Sequence, residues 1–211
     1  MTTGAERGLV FVVDDDAGVR QMISRMVRSV GLRVETYASV QEFLDLYDRR
    51  QTGCLVLDVR MPGLSGLDLQ ERLAGLEVPL PIIFITGHGD IAMGVRAMKR
   101  GAMDFIEKPF QDQVLLDAIH AALARAAELH EAAQARDDAR ERLATLTPRE
   151  REVLALVVDG RANKQIAAQL GTAEQTIKMH RSRLMKKMDA DSLPALVRLA
   201  QLGGVAANPR R

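Results

Sequence analysis

The sequence predicts an α/β domain built on a doubly wound, five-stranded parallel sheet, followed by a small all-α domain. In the first half of the chain, predicted strands alternate five times with segments of helical periodicity, which is typical of a doubly wound parallel sheet. From residue 111 the pattern becomes helical, and the stretch 114–143 contains neither Gly nor Pro. The length of 211 residues suits two ordinary domains.

Three strands of the first domain are expected at apolar runs, which cover residues 9–13, 54–57 and 81–85. Two further strands are expected at 33–37 and 103–106. The helices between them are expected at 19–30, from the cap Ser39 onwards, at 67–76 and at 91–99. Asp58 is expected to be the first residue beyond the third strand, before a turn at Pro62 and Gly63.

A long helix is expected to leave the first domain, which we place at residues 8–125, and to continue as a helical linker over 126–143. Past Arg125 this helix is mostly Ala and charged residues. A solvated helix and a dimer seam remain open alternatives, because Ala, Arg and Asp fill the heptad positions after Leu129.

The second domain is expected at 144–205 and contains four short helices. The first begins with Thr147 as cap, Pro148 at the first helical position and Glu150 three residues after the cap. The others fit 163–170, 174–188 with Thr172 as its cap, and 192–202. The tail 203–211 is expected to be disordered.

Charge and composition separate the two parts of the chain. The net charge is only +1, but residues 161–188 hold seven Lys or Arg against the single Glu174, which favours contact with a polyanion. The single cysteine, Cys54, excludes intramolecular disulfides and paired-cysteine zinc sites. The sequence has no apolar run of 18 residues and no leader pattern, so we expect a cytoplasmic protein without a membrane partner.

Five polar side chains follow predicted strands and are expected to meet at one edge of the sheet. They are Asp14, Asp15, Asp58, Thr86 and Lys108. Three converging carboxylates repel one another unless a cation is present, and oxygen ligands of this kind suit Mg²⁺. With the ammonium of Lys108 and the hydroxyl of Thr86 beside it, the carboxylate of Asp58 is suited to act as a nucleophile in phosphoryl transfer.

The motifs Val-Val-Asp14-Asp15-Asp16, Leu-Asp58-Val-Arg-Met-Pro, Thr86-Gly-His-Gly and Lys108-Pro-Phe make residues 9–125 resemble the receiver domain of two-component response regulators, a CheY-like or flavodoxin-like fold. The resemblance implies that a sensor histidine kinase phosphorylates Asp58. It also implies a Mg²⁺ site formed by Asp15, Asp58 and the backbone carbonyl of Arg60, with Asp14 acting through water.

The same resemblance implies that Thr86 and Phe105 form a switch pair and that the bond between Lys108 and Pro109 is cis. Because position 105 carries Phe, no hydroxyl there can report the state of the site by hydrogen bonding. It further implies that the phosphorylated protein forms a homodimer.

Residues 163–180 have the spacing of a helix-turn-helix around Gly171. Together with the local positive charge, this pattern predicts binding to double-stranded DNA. The expected contact residues are Lys164, Gln175, Thr176, Lys178, Met179, His180, Ser182, Lys186 and Lys187.

The motifs Leu-Thr147-Pro-Arg-Glu150, Asn163-Lys-Gln-Ile-Ala and Thr176-Ile-Lys-Met-His180 resemble the LuxR/NarL-type DNA-binding domain, and a receiver followed by this domain is the FixJ-like arrangement. The resemblance implies a phosphorylation-controlled regulator that binds promoter DNA, activates transcription with RNA polymerase as a partner, and catalyses only its own phosphorylation and dephosphorylation. Two alternatives stay open. A phosphatase with Asp58 as nucleophile lacks the acid expected at position 60, where Arg60 stands, and a phosphorelay or protein-binding adaptor would bind DNA only weakly.

Overall fold

The computed structural model describes residues 8–76, 80–87 and 91–206, and its five strands form one parallel sheet. The strands are β1 Leu9–Val13, β2 Arg33–Tyr37, β3 Gly53–Asp58, β4 Ile82–Thr86 and β5 Asp104–Glu107. Their order is β2-β1-β3-β4-β5, so the winding reverses between β1 and β3. Doubly wound sheets hold ligands at the carboxyl ends of the strands beside such a reversal. The predicted fold class is confirmed.

The helices that accompany the sheet begin and end close to the predicted positions. They are α1 Ala17–Ser29, α2 Val40–Leu46, α3 Gly66–Gly75, α4 Ile91–Lys99 and α5 Asp112–Ala144. Ser39 caps α2 as expected, since its hydroxyl accepts the N–H of Glu42 at 3.1 Å.

The strands β3, β4 and β5 differ from their predicted bounds by one residue, and the predicted end of β3 was wrong in a way that concerns the site. Asp58 is the last residue of β3 rather than the first residue after it, and it pairs with Ile85 of β4. The hydrogen-bond ladder between β3 and β4 continues past Asp58, since the N–H of Val59 donates to the carbonyl of Ile85 at 3.1 Å. The backbone of Asp58 is therefore held in the sheet by its pairing with β4.

The three central strands, β1, β3 and β4, are buried on both faces, and alternate residues of each strand point to opposite faces. One face packs Phe11, Leu55, Leu57 and Phe84 against α2 and α3. The opposite face packs Val10, Val12, Val56, Ile83 and Ile85 against α1 and α5. The continuous apolar runs of the sequence thus become fully buried strands, and polar groups of β1, β3 and β4 are left at the strand ends.

Helix α5 contains 33 residues and includes the whole predicted linker 126–143. The chain divides into two compact units between His130 and Glu131, a point inside this helix. None of the helices in the described part of the chain combines the length and hydrophobicity that crossing a membrane requires.

The second unit contains the end of α5 and four further helices, α6 Pro148–Val158, α7 Asn163–Leu170, α8 Glu174–Met188 and α9 Leu193–Leu202. Its core includes Val153, Leu154, Ile166, Ile177 and Leu184. Gly171 joins α7 to α8 in the left-handed conformation (φ 61°), which glycine adopts without strain. Residues 207–211 of the predicted disordered tail lie outside the described residues.

The predicted cap of α8 was also wrong. Ala173 rather than Thr172 occupies the N-cap position, and no side chain caps the helix. The helix begins at Glu174, so Thr172 lies one residue too early in the chain to serve as its cap.

The start of α6 has the predicted capping box and an additional ion pair. The carboxylate of Glu150 accepts the N–H of Thr147 at 2.9 Å, and the hydroxyl of Thr147 accepts the N–H of Glu150 at 3.3 Å. The ammonium of Lys187, near the end of α8, donates to the same carboxylate at 2.7 Å. This hydrogen bond from Lys187, assisted by Thr147, lowers the pKa of the buried Glu150 to about 2.

We expect Glu150→Gln to lower the free energy of unfolding of the second unit at pH 7 by about 2 to 3 kcal/mol, because the charge that Lys187 pairs with is lost. Since the folded pKa lies below the ordinary value of 4.5, the stabilisation is present above pH 4.5 and is lost as the pH falls towards 2. Hydrogen exchange of the amides of α6 and α8 measures this free energy. Glu152→Gln, at an exposed neighbouring position, is the control. Equal pH dependence in the wild type and Glu150→Gln would contradict the assignment.

Candidate functional site

A lysine ammonium connects two of the carboxylates at the carboxyl edge of the sheet. Nζ of Lys108, just after β5, lies 2.6 Å from Oδ2 of Asp14 and 3.3 Å from Oδ1 of Asp58. Asp14 follows β1 and is fully buried, and its other carboxylate oxygen accepts the N–H of Asp16 at 2.8 Å. The structure therefore brings β1, β3 and β5 together through one cation.

Asp58 and Thr86 end the neighbouring strands β3 and β4, and both side chains are almost completely buried. The backbone carbonyl of Thr86 accepts the N–H of Lys108 at 2.7 Å, which fixes the start of the lysine side chain. The peptide bond between Lys108 and Pro109 is cis, as predicted. Asp15 is exposed beside this group.

Burial and the neighbouring charges have opposing effects on the pKa values of Asp58 and Lys108. Burial raises the pKa of Asp58, the ammonium of Lys108 lowers it, and the charge of Asp14 raises it again, so that the net shift is upward. Burial lowers the pKa of Lys108, but its hydrogen bond to Asp14 and the nearby carboxylates outweigh this effect, and the net shift is upward. Lys108 therefore stays protonated, and the carboxylate of Asp58 is a stronger base than an exposed aspartate.

The three carboxylates also fit a divalent cation. One oxygen from each of Asp14, Asp15 and Asp58 lies within 4.8 Å of the others. Two oxygen ligands of one Mg²⁺ lie up to about 4.2 Å apart, so this spacing suits an ion held partly by carboxylates and partly through water. Arg60 lies two residues beyond Asp58 in the turn after β3.

The other predicted switch residue, Phe105, lies in β5 and is half-buried. Its ring centroid is 6.4 Å from that of Phe84 in the adjacent strand. A Cβ placed on Gly94 of α4 would lie 3.3 Å from the ring, so the aromatic side chain packs directly against this helix. Phe105 thus connects β5, which pairs with the strand of Thr86, with α4.

A glycine holds the turn that follows Asp58. The N–H of Gly66, the first residue of α3, donates to the carbonyl of Val59 at 3.0 Å. A Cβ at Gly66 would clash with the backbone oxygen of Asp58. Only glycine fits here without moving the backbone that carries the Asp58 carboxylate.

The second unit presents one continuous exposed stripe along α8. Its members are spaced by three or four residues and are Glu174, Gln175, Lys178, Met179, Ser182, Arg183 and Lys186. The carboxylate of Glu174 lies 3.7 Å from the ammonium of Lys178. The opposite face buries Ile177, Leu184 and Met188. Lys164, in the first turn of α7, is exposed as well. The stripe combines positive charge with amide, hydroxyl and apolar groups, which suits contact with both the phosphates and the bases of DNA.

The remaining predicted contact residues of α8 lie beside this stripe. Thr176 and His180 are half-buried, and Nδ1 of His180 is buried without a hydrogen-bond partner in the described part of the chain. Arg181 donates to the side chain of Asn163 at 2.8 Å and ties α8 to α7. Lys187 donates to Glu150, so its ammonium is already bound within the protein.

Comparison with known families agrees with this pair of sites. The family of response regulator receiver domains matches residues 10–120, and the luxR family of bacterial regulatory proteins matches residues 144–200. The chain is a response regulator with a LuxR-type DNA-binding domain.

Relatives of this response regulator match nearly all of its length. Nodulation protein W of Bradyrhizobium diazoefficiens is 50% identical over 98% of this chain and 91% of its own length. The transcriptional regulatory protein FixJ of Azorhizobium caulinodans is 46% identical over 93% of both chains. The regulator therefore has the domain pair of FixJ-like transcription regulators.

Solved structures give the same result. The response regulator StyR is 48% identical and superposes with a TM-score of 0.81 over 93% of this chain and 99% of its own. Full-length FixJ from B. japonicum is 40% identical, with a TM-score of 0.56 over 96% of this chain and 100% of its own.

Two residues of these sites were not predicted from the sequence of the regulator. Arg183 belongs to the exposed stripe, and its spacing of four residues from Met179 was the signal that could have identified it. Gly66 carries no such signal, because its contact with the carbonyl of Asp58 arises only when the turn closes.

We expect Gly66→Ala to slow phosphorylation of the regulator by at least about tenfold, because the new Cβ must displace the backbone of Asp58 and misplaces its carboxylate. Gly75→Ala, at the other end of α3, is the matched control, since a Cβ there meets nothing within 4 Å. Initial rates with acetyl phosphate, together with the melting temperatures of both variants, test this. Equal rates in both folded variants would rule out the positioning role of Gly66.

Proposed function

We propose that a sensor histidine kinase phosphorylates this response regulator on Asp58 and that the modification controls its binding to promoter DNA. The observation that supports this most is the position of Asp58, whose buried carboxylate ends a central strand 3.3 Å from the ammonium of Lys108. The proposal places the protein in the cytoplasm, where a kinase and promoter DNA are both accessible.

In the proposed reaction, a carboxylate oxygen of Asp58 attacks the phosphorus of a phosphohistidine on the kinase. A P–O bond forms, the P–N bond breaks, and its electron pair returns to the imidazole. The ammonium of Lys108 binds a phosphoryl oxygen and balances its negative charge, and the hydroxyl of Thr86 donates to another.

We propose that Mg²⁺ is the metal cofactor of this site. Asp15, Asp58 and the backbone carbonyl of Arg60 would hold it directly and Asp14 would hold it through water. When bound, the ion supplies positive charge that neutralises the phosphoryl oxygens. The chain catalyses only its own phosphorylation and dephosphorylation, because Arg60 stands where a phosphatase with this nucleophile would carry an acid.

The proposed switch follows from the placement of Thr86 and Phe105. When the hydroxyl of Thr86 turns towards the phosphoryl group, space opens at the end of β4, and the half-buried ring of Phe105 turns inwards to fill it. This movement alters the face formed by α4, β5 and α5, where the apolar side chains of Val95, Met98 and Val114 are about half exposed. We propose that two phosphorylated copies form a homodimer through this face.

We further propose that α8 lies in the major groove of promoter DNA with its exposed stripe towards the bases. Lys178 lies near the centre of the stripe, and Lys186 lies near its end, where the phosphates of a DNA strand pass. The phosphate contact expected for Lys187 is not part of this proposal, because Glu150 already binds its ammonium. RNA polymerase would be the partner of the DNA-bound dimer.

We expect Asp58→Asn to abolish labelling by acetyl phosphate, since an amide oxygen cannot act as the nucleophile and is a weaker ligand for Mg²⁺. Asp45→Asn makes the same chemical change at an exposed position of α2 and should leave labelling intact. Stable label on Asp58→Asn would show that another residue accepts the phosphate.

We expect Lys178→Ala to weaken operator binding by about 1 to 3 kcal/mol and to weaken binding to a scrambled sequence much less, because it removes a base contact. Lys186→Ala is the comparison. It should weaken both complexes equally and reduce the slope of affinity against salt by about 0.9, the value for one phosphate contact. Titrations at two salt concentrations measure these effects. Unchanged operator affinity of Lys178→Ala would refute the docking face, and failure of the wild type to shift any promoter DNA would favour an adaptor function.

A further inference from the structure

Polar contacts from three segments of the second unit hold the C-terminal end of α8. The ammonium of Lys187 donates to the carboxylate of Glu150 at 2.7 Å and to the backbone carbonyl of Thr145 at 3.1 Å. The guanidinium of Arg142, in the last turn of α5, donates to the backbone carbonyl of Met188 at 2.9 Å. We call Arg142, Thr145, Glu150 and Lys187 the α8 clamp.

Arg142 satisfies a group that the helix itself leaves without a partner. The last carbonyls of an α-helix have no N–H to accept from within the helix, and Met188 is the final residue of α8. Arg142 also lies 3.6 Å from the carboxylate of Asp189, which ends the helix in the left-handed conformation. A cation at this end also complements the negative pole of the helix dipole.

Apolar packing alone leaves the direction of α8 poorly defined. Its buried residues, Ile177, Leu184 and Met188, lie along one side of a helix of 15 residues. Contacts of this kind are non-directional and permit small rotations and tilts, whereas hydrogen bonds have preferred distances and angles. The polar contacts at its end are therefore suited to fix the orientation of the exposed stripe.

We infer that Arg142 and Lys187 are positioning residues, which orient α8 so that its exposed stripe meets the bases of the operator, and that neither residue contacts DNA. The inference rests on the proposed docking of α8 in the major groove. The inference assigns Arg142 and Lys187 a role different from that of the exposed basic residues near them. Lys186 and Lys187 are adjacent and carry the same charge, but Lys186 is exposed, whereas Lys187 neutralises a buried carboxylate.

Lys187 is not free to exchange its partner for a phosphate. The side chain of Glu150 is 4% exposed, and removal of its cation would leave a buried charge unpaired, which is strongly destabilising. Arg142 has no such buried partner charge, since the carboxylate of Asp189 is exposed. Its replacement should therefore leave the domain folded, and Arg142 is the better residue for a test.

The test compares Arg142→Gln with Arg140→Gln in the full chain. Arg140 lies on the same helix, carries the same charge and pairs with the exposed Asp137. We expect Arg142→Gln to lower operator affinity about three- to tenfold, which corresponds to the usual net contribution of one hydrogen bond, and to leave the affinity for scrambled DNA and its salt slope unchanged. Arg140→Gln should change none of these quantities. Arg142→Lys, which keeps the cation, should have an intermediate operator affinity.

Two results would overturn the inference. Equal losses on operator and scrambled DNA with a smaller salt slope would show that Arg142 contacts a phosphate. A lower melting temperature with unchanged operator affinity would show that Arg142 only stabilises the domain. Lys178→Ala, measured in the same experiment, distinguishes failure of the positioning role of Arg142 and Lys187 from failure of the proposed docking of α8. A loss of operator affinity there with none in Arg142→Gln overturns the clamp alone, whereas no loss in Lys178→Ala overturns the docking of α8 and the clamp with it.

Discussion

The ammonium of Lys108, 2.6 Å from Asp14 and 3.3 Å from Asp58, is the interaction on which the receiver site depends. The strands β1, β3 and β4 are buried on both faces and bring polar groups to the carboxyl edge of the sheet. Carboxylates gathered there repel one another unless a cation lies between them. The ammonium of Lys108 relieves this repulsion by contacting two of the carboxylates.

The DNA-binding unit depends on a different arrangement of charge. Its basic residues are close together in sequence, but the structure divides them between the exposed stripe of α8 and contacts inside the domain. Lys186 faces solvent, while Lys187 is hydrogen-bonded to Glu150 and to the carbonyl of Thr145. Net charge therefore indicates that the unit meets a polyanion, but the partners of each cation decide which residues contact it.

The sequence was sufficient to predict the five strands, because β1, β3 and β4 are apolar runs bounded by turn residues or carboxylates and the strands alternate with helical segments, and to predict that Asp14, Asp58 and Lys108 meet at one edge. The exact end of β3 was not predictable, since it depends on a hydrogen bond from Val59 to the neighbouring strand. The contact between Arg142 and Met188 joins residues 46 positions apart and leaves no periodic pattern. The requirement for glycine at position 66 likewise leaves no signal in composition or spacing, because it depends on how close the backbone oxygen of Asp58 comes in the folded chain.

The central claim is that chemistry at Asp58 controls DNA binding by α8. The most direct measurement is the affinity of the wild-type protein for an operator fragment with and without beryllofluoride and Mg²⁺, which together mimic the phosphoryl group. We expect the mimic to raise operator affinity by roughly 5- to 150-fold, the usual range of coupling between two sites. We also expect sedimentation to show a dimer under the same conditions. The same affinity and the same sedimentation coefficient with and without the mimic would contradict the account.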